Sequence, residues 1–355
     1  MNIDNLKYKL NYINSFDRVI SIMEVCGTHT MAIGKYGIRE LLAPNINLLS
    51  GPGCPVCVTP DNYIDYIYDL ALNKNCIIAT YGDMIRVPGS SRNISLEKAK
   101  ALGAGVKMVY SSMDALKLAS ENKEKKIVFL GIGFETTTPA TAVAVGEAEK
   151  LKLDNFYILS MHKRIEPVMR ALLEDRELKI DAFLCPGHVA VIIGQDGFEF
   201  LKEYNCVSSI AGFELEQVIE GLYLIVKDLK EGSIGIKNAY SSVVRKEGNT
   251  EAKAIIHKYF YSSNDSWRGL GNIEESGYKL RKAFEKYDIE KIYPMNDKIN
   301  QISNNGCQCG EVLKGKIRPE QCVLFAKACT PESPVGPCMV SGEGSCAARF
   351  KYGSY

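Results

Sequence analysis

Short apolar, often β-branched runs recur along the chain, and each stops abruptly at a turn carrying glycine or proline. Val19–Val25 runs into Cys26-Gly27-Thr28-His29, Ile46–Leu49 into Gly51-Pro52-Gly53-Cys54, and Cys76–Thr80 into Tyr81-Gly82-Asp83. Ile127–Ile132 ends at Gly133-Phe134-Glu135, Phe156–Ser160 at Met161-His162, Ala182–Leu184 at Cys185-Pro186-Gly187-His188, and Ser209–Ile210 at Ala211-Gly212-Phe213-Glu214. Between them lie stretches with helical spacing, such as Asp61–Asn73 and Glu214–Lys227. A threonine N-cap in Thr136–Thr138 with Pro139 in the first turn predicts another helix reaching Lys150. Strands alternating with helices of this size predict an α/β fold with parallel sheets. Ligands of such sheets gather beyond the carboxyl ends of the strands, where all these turns fall.

The polar, charged run Ser120–Lys126 reads as a linker, and the chain turns more polar and irregular past Lys230–Gly235. The expected organisation is therefore two Rossmann-like α/β units, 1–122 and 123–232, with parallel sheets facing a cleft. An irregular, cysteine-rich C-terminal part, 233–355, follows them.

Length and composition narrow the function. The 355 residues suit two or three domains at roughly 100–200 residues each. Lys+Arg 43 against Asp+Glu 42 leaves no net field to attract nucleic acid or an anionic membrane. No apolar run approaches the roughly 18 residues of a membrane span, and Met1–Asp17 lacks the apolar core of a signal peptide. The expected location is cytoplasmic, where clustered cysteines bind metal or do redox work more often than they form stable disulfides.

Twelve cysteines make that choice matter. Six lie in the tail: Cys307, Cys309, Cys322, Cys329, Cys338 and Cys346. Four soft thiolates suit an iron–sulfur cluster, although neither the ferredoxin run nor CxxxCxxC is present. Cys54-Pro55-Val56-Cys57 is a CxxC with no second CxxC or histidine pair close behind it, which favours a redox pair or metal work over half a zinc site. Cys26 stands three residues before His29, a spacing that puts thiolate and imidazole on one side of a turn. They can act as nucleophile with base, or as metal ligand with hydrogen-bond partner. A buried cysteine beside a surface histidine is the plainer alternative. Of the four histidines, His29, His162 and His188 lie in strand-end turns, whereas His257 reads as a surface residue of a helix. Glu135 either takes part in chemistry or caps the helix that follows it. Cys76 and Cys206 read as packing residues.

Several blocks in one order resemble the HypD family of hydrogenase maturation factors over essentially the whole length. They are Met23–His29, Gly51–Cys57, Gly133–Pro139, Cys185–His188, Cys329-Thr330-Pro331 and Cys338–Cys346. The resemblance implies a scaffold for assembling the Fe(CN)2CO unit of [NiFe]-hydrogenases. Iron would be held by Cys26 and a cysteine of the partner HypC, with His29 beside it and Cys54 and Cys57 as a thiol pair in the same cleft. HypE, fed by HypF, would deliver cyanide, and the hydrogenase large subunit would receive the unit. The resemblance further implies a [4Fe–4S] cluster on Cys307, Cys322, Cys329 and Cys346, with Cys309 and Cys338 as an adjacent redox pair. His188 and Glu135 are candidate cleft residues. A dianionic iron complex would draw on amides near Gly27 and Gly51–Gly53, on His29 and on Arg86. A cluster-driven thiol–disulfide oxidoreductase, resembling ferredoxin:thioredoxin reductase, is the main alternative, and a zinc-stabilised binding protein a third.

Overall fold

The computed structural model describes residues 3–295 and 306–353. Eleven strands occur among them: β1 Ile20–Glu24, β2 Ile46–Ser50, β3 Cys76–Thr80, β4 Gly105–Met108, β5 Lys126–Gly133, β6 Phe156–His162, β7 Ala182–Pro186, β8 Val207–Ala211, β9 Ile236–Asn238, β10 Phe260–Trp267 and β11 Gly271–Leu280. Every pairing in the two larger sheets is parallel. One sheet has the order β2-β1-β7-β8-β9, the other β4-β3-β5-β6. Strands such as β3, β6, β7 and β8 are buried at every position. That is why they read as continuous apolar runs instead of alternating ones.

The helices supply the covering layers through apolar stripes. Leu215–Glu231 buries Val218, Ile219, Leu222, Ile225 and Val226, the spacing of a single helical face. Asp61–Asn73 buries Tyr63, Ile64, Ile67, Leu70 and Ala71 in the same manner. Each such Ile, Leu or Val contributes about 1.5–3 kcal/mol by leaving water. One core runs from Met23 and Phe183 of the first sheet through Ile78 and Leu130 of the second to Cys338 and Met339 of the tail. No helix of the described residues is long and apolar enough to cross a membrane.

The sheets cut across the expected division at residue 122. β1 pairs with β7, and β3 pairs with β5, so the chain leaves the first sheet after β2, builds the second, and returns. Ser120–Lys126 is the turn between the helix Ser112–Glu121 and β5 inside one sheet. Polarity marks a segment as solvated, and a linker and an αβ turn are equally so. The region after 233 also holds more regular structure than expected. β10 and β11 form an antiparallel hairpin with a register shift between Ser263 and Asp265. Thr137 is the N-cap of the helix Thr138–Lys150, as expected, but its hydroxyl donates to the Ile132 and Phe134 carbonyls instead of capping an amide.

Candidate functional site: a line of thiols

β1 and β2 run parallel, with Glu24 opposite Ser50, so the turns after them emerge side by side. Their backbones then lock together. Gly51 N–H donates to Glu24 O (2.7 Å) and Gly27 N–H to Gly53 O (3.3 Å). Cys26 sits half-buried at the start of the helix Gly27–Lys35, and its N–H donates to Glu24 Oε2 (3.1 Å). The tail closes the turn from the other side. Thr28 Oγ1 donates to Glu343 Oε1 (2.8 Å), and a Cβ on Gly27 would lie 2.5 Å from that of Glu343.

His29 is fully buried, and Nε2 lies 2.9 Å from the Gly212 carbonyl. A carbonyl only accepts, so the hydrogen belongs on Nε2 and Nδ1 is left as a bare acceptor. Nδ1 is buried without a hydrogen-bond partner. Burial lowers this imidazole to about 4 and keeps it neutral. Phe213 stacks between His29 and His188, with ring centroids 4.7 and 4.0 Å away. His29 and His188, from different helices, thus meet at one ring, and Cys26 stands at the N-cap of the helix that carries His29.

Two carboxylates and two backbone N–H groups of the turn surround the Cys26 sulfur. Burial pushes the thiol up to about 12, reinforced by Glu343 and Glu24, while the His29 and Thr28 N–H groups oppose the shift. The amides of Gly27, Gly51 and Gly53 are already used within the two turns. Arg86 donates to the Pro331 carbonyl through Nη2, and Asp83, from the same short segment, accepts from Ser341 Oγ (3.0 Å). Arg86 is a clamp on the tail. Sequence cannot distinguish a cation facing a ligand from one holding a carbonyl.

Beyond this turn the thiols form a line. Cys54 caps the short helix Pro55–Val58 by accepting from Cys57 N–H (3.3 Å), and the two sulfurs are 2.6 Å apart. Cys57 in turn interacts with Cys338, Cys338 with Cys309, and Cys309 with Cys307. Burial first, then Cys338 and Cys54, raise the Cys57 thiol well above its ordinary value. Hydrogen bonds from Cys309 and Cys57 lower Cys338. The line ends among the tail thiols: burial first, then Cys309, Cys307, Cys329 and Cys322, raise Cys346, and burial with Cys307 and Cys322 raises Cys329. Cys329 Sγ accepts from Val335 N–H (3.3 Å), and a Cβ on Gly336 would run into Cys307 Sγ. Among the described residues no three His, Cys, Asp or Glu side chains converge as ligands of a single metal ion. Of the four thiols expected as cluster ligands, Cys329 and Cys346 are buried and Cys307 and Cys322 half-buried, and thiolates are the donor type that iron–sulfur clusters take.

Other candidates fall elsewhere. Glu135 caps the helix Ile165–Glu174, not the one that follows it: Oε1 accepts from Ile165 N–H (3.0 Å). His162 is fully buried between Thr141 Oγ1 and Ser160 Oγ, each 3.1 Å away, and fills space that Gly131 leaves free. His257 lies exposed on the helix Thr250–Tyr259. Sequence reasoning missed Glu24, Glu343, Phe213 and Arg268. The first three stand inside motifs already singled out, so a carboxylate or ring adjoining a cysteine turn was the available signal. Arg268 had none. It is the turn residue of the β10–β11 hairpin, donates to Thr59 O (2.7 and 3.0 Å) and Asp61, and lies near Cys309 and Cys338.

A family model described as "Hydrogenase formation hypA family" and named HypD matches residues 2–353. The sequence is 42% identical to hydrogenase maturation factor HypD of Escherichia coli over 354 residues, 99% of this chain and 94% of that one. It is 42% identical to HypD2 of Bradyrhizobium diazoefficiens over 341 residues (94% and 89%), and 41% identical to HypD of Cupriavidus necator over 343 residues (94% and 90%).

Proposed function

The chain belongs to the HypD family of hydrogenase maturation factors, and on that premise we propose that it is the scaffold on which the Fe(CN)2CO unit of a [NiFe]-hydrogenase is built. Cys26 holds the iron together with a cysteine of HypC. HypE, supplied by HypF, adds cyanide, carbon monoxide completes the set, and the large subunit receives the product. In this reading iron and its diatomic ligands are cargo.

The observation that carries the reading is the line of thiols running from Cys54, next to the Cys26 turn, through Cys57, Cys338 and Cys309 to four more sulfurs. A [4Fe–4S] cluster on Cys307, Cys322, Cys329 and Cys346 would supply single electrons. The chain's own part is to move electron pairs. Two thiols closing to a disulfide release two electrons and two protons, and exchange along neighbouring sulfurs passes that oxidation from pair to pair.

The Cys26 turn binds iron under particular electrostatics. A thiol raised to about 12 stays protonated at neutral pH, so the incoming cation must displace its proton. His29 presents Nδ1, an acceptor, not a positive charge. With Glu24 and Glu343 beside the sulfur, the His29 and Thr28 N–H groups are the turn's own donors toward an anionic complex, and the partner protein adds to them.

The test is anaerobic co-purification with HypC, followed by metal analysis and infrared spectroscopy. The expected result is iron beyond the four atoms of a cluster, with CO and CN stretching bands. Cys26→Ala should lose those bands while keeping the broad visible absorbance of the cluster. The same line of thiols also serves a thiol–disulfide oxidoreductase. That alternative predicts no iron beyond the cluster and no diatomic bands in the wild type.

A further inference from the structure

A cavity of ≈350 Å³ opens beyond the carboxyl ends of β5 and β6, among the helices Ile165–Glu174, Gly187–Ile193 and Thr250–Tyr259 and the β10–β11 hairpin. No cysteine lines it, so it is separate from the thiol line. Its size falls within the usual range for small-molecule sites.

Glu135 is its most informative wall residue. The side chain is 4% exposed, Oε1 is held by Ile165 N–H, and Oε2 is buried with no hydrogen-bond partner. A buried carboxyl oxygen left unsatisfied is costly in a folded protein. A group on a bound molecule that donates an N–H would remove that cost.

The remaining walls define the rest of the molecule. Tyr261 and Tyr278 present two aromatic rings, backed by the fully buried Phe260, and Ile193 and Ile256 add aliphatic surface. Around them stand Arg164, Lys253 and Arg281, against the single further acid Glu166. Arg164 is drawn towards Glu166 and Glu275. Among the described residues Lys253 and Arg281 donate to main-chain carbonyls alone, Lys253 Nζ to Glu247 O and Arg281 Nε to His257 O. Two cations therefore keep their charge uncompensated at the mouth. Arg281 retains the terminal nitrogens of its fork, the geometry that grips carboxylate or phosphate.

We propose that this cavity is a binding site for a small organic anion with a flat, mainly apolar body and an N–H donor, the donor meeting Glu135 Oε2 and the anionic group meeting Arg281 and Lys253. The anionic group can be a phosphate or a carboxylate, and the probes separate the two. Adenosine monophosphate and L-tryptophan each carry a ring N–H or amine with an anionic group at a distance, and inorganic phosphate is the bare-anion control.

Isothermal titration calorimetry on the full chain, wild type and the variants Glu135→Gln and Arg281→Ala, decides the matter. Arg281 is exposed, so its variant tests the site without threatening the fold, which circular dichroism verifies for both variants. The expected result is binding of at least one organic probe, more tightly than phosphate, and weakened about tenfold or more in each variant, the loss of one charge-assisted hydrogen bond. Absence of binding by both organic probes at millimolar concentration, equal binding of phosphate, or unchanged affinity in either variant overturns the proposal.

Discussion

Gly53 packs against the backbone of Cys26 so closely that a Cβ at position 53 would overlap the Cys26 nitrogen and the Val25 carbonyl carbon. Both contacts are main chain, and the Gly27–Gly53 hydrogen bond holds them in place. Gly53→Ala should therefore cost roughly 3 kcal/mol or more, because neither side can yield by rotating a side chain. Urea denaturation measures it; an unchanged midpoint would show that the two turns are not in contact.

The thiol line predicts which sulfurs can be joined. Mild oxidation of the wild type should link Cys54 to Cys57, whose sulfurs lie 2.6 Å apart. In Cys54→Ser the same treatment should link Cys57 to Cys338, its other sulfur neighbour. Mass mapping of the peptides distinguishes the products. A Cys57 that stays reduced in the variant would remove the tail from this position.

Glu135 makes stability depend on pH with a defined sign. Burial raises its carboxyl from 4.5 to about 7, opposed by the Ile165 and Glu135 amides and by Arg164 and reinforced by Glu166. Tyr278 faces it as well, and Lys253, His257 and Arg281 line the same cavity. The folded state thus holds a proton that the unfolded chain gives up near 4.5. The associated stability is complete below that value, falls as pH rises, and is gone above about 7, a loss of roughly 3 kcal/mol. Chemical denaturation of wild type and Glu135→Gln at intervals from pH 4 to 8 isolates it. A difference between the two that does not vary with pH would contradict the burial of this carboxyl.

Lys163 and Asp265 form a fully enclosed ion pair, 2.6 Å apart, with Lys163 also donating to Ser266 O and Asp265 accepting from Tyr63. Asp265→Ala leaves an ammonium group buried without its anion and should cost on the order of 3–5 kcal/mol. The double variant Lys163→Met/Asp265→Leu should recover much of that loss. Equal destabilisation of single and double variants would mean that packing, not charge, is at stake.

The parts of the fold legible along the chain were those whose signal is local. β3 and the helix Asp61–Asn73 have the expected bounds; a fully buried strand is an unbroken apolar run, and an amphipathic helix repeats its stripe every turn. The β10–β11 hairpin escaped notice because Ser262–Ser266 is polar, with Asp265 buried against Lys163 from outside the hairpin and Trp267 bonded to Ser276 across it. The cysteine turns were recognisable because glycine, proline and thiol fall at fixed short spacings. Glu343 beside Gly27, Arg268 near Cys309 and the unpaired oxygen of Glu135 were not, since each depends on residues far away in sequence.

Residue order alone therefore settles the strands written as unbroken apolar runs, the helices with a repeating stripe, and the candidate thiols, because those properties follow from neighbours a few positions apart. Strand grouping, the route of the sulfur line and the protonation of Glu135, His29 and Cys26 come from long-range packing. Burial and electric field are sums over everything nearby in space, and residues 28 and 343 become neighbours only when the chain closes.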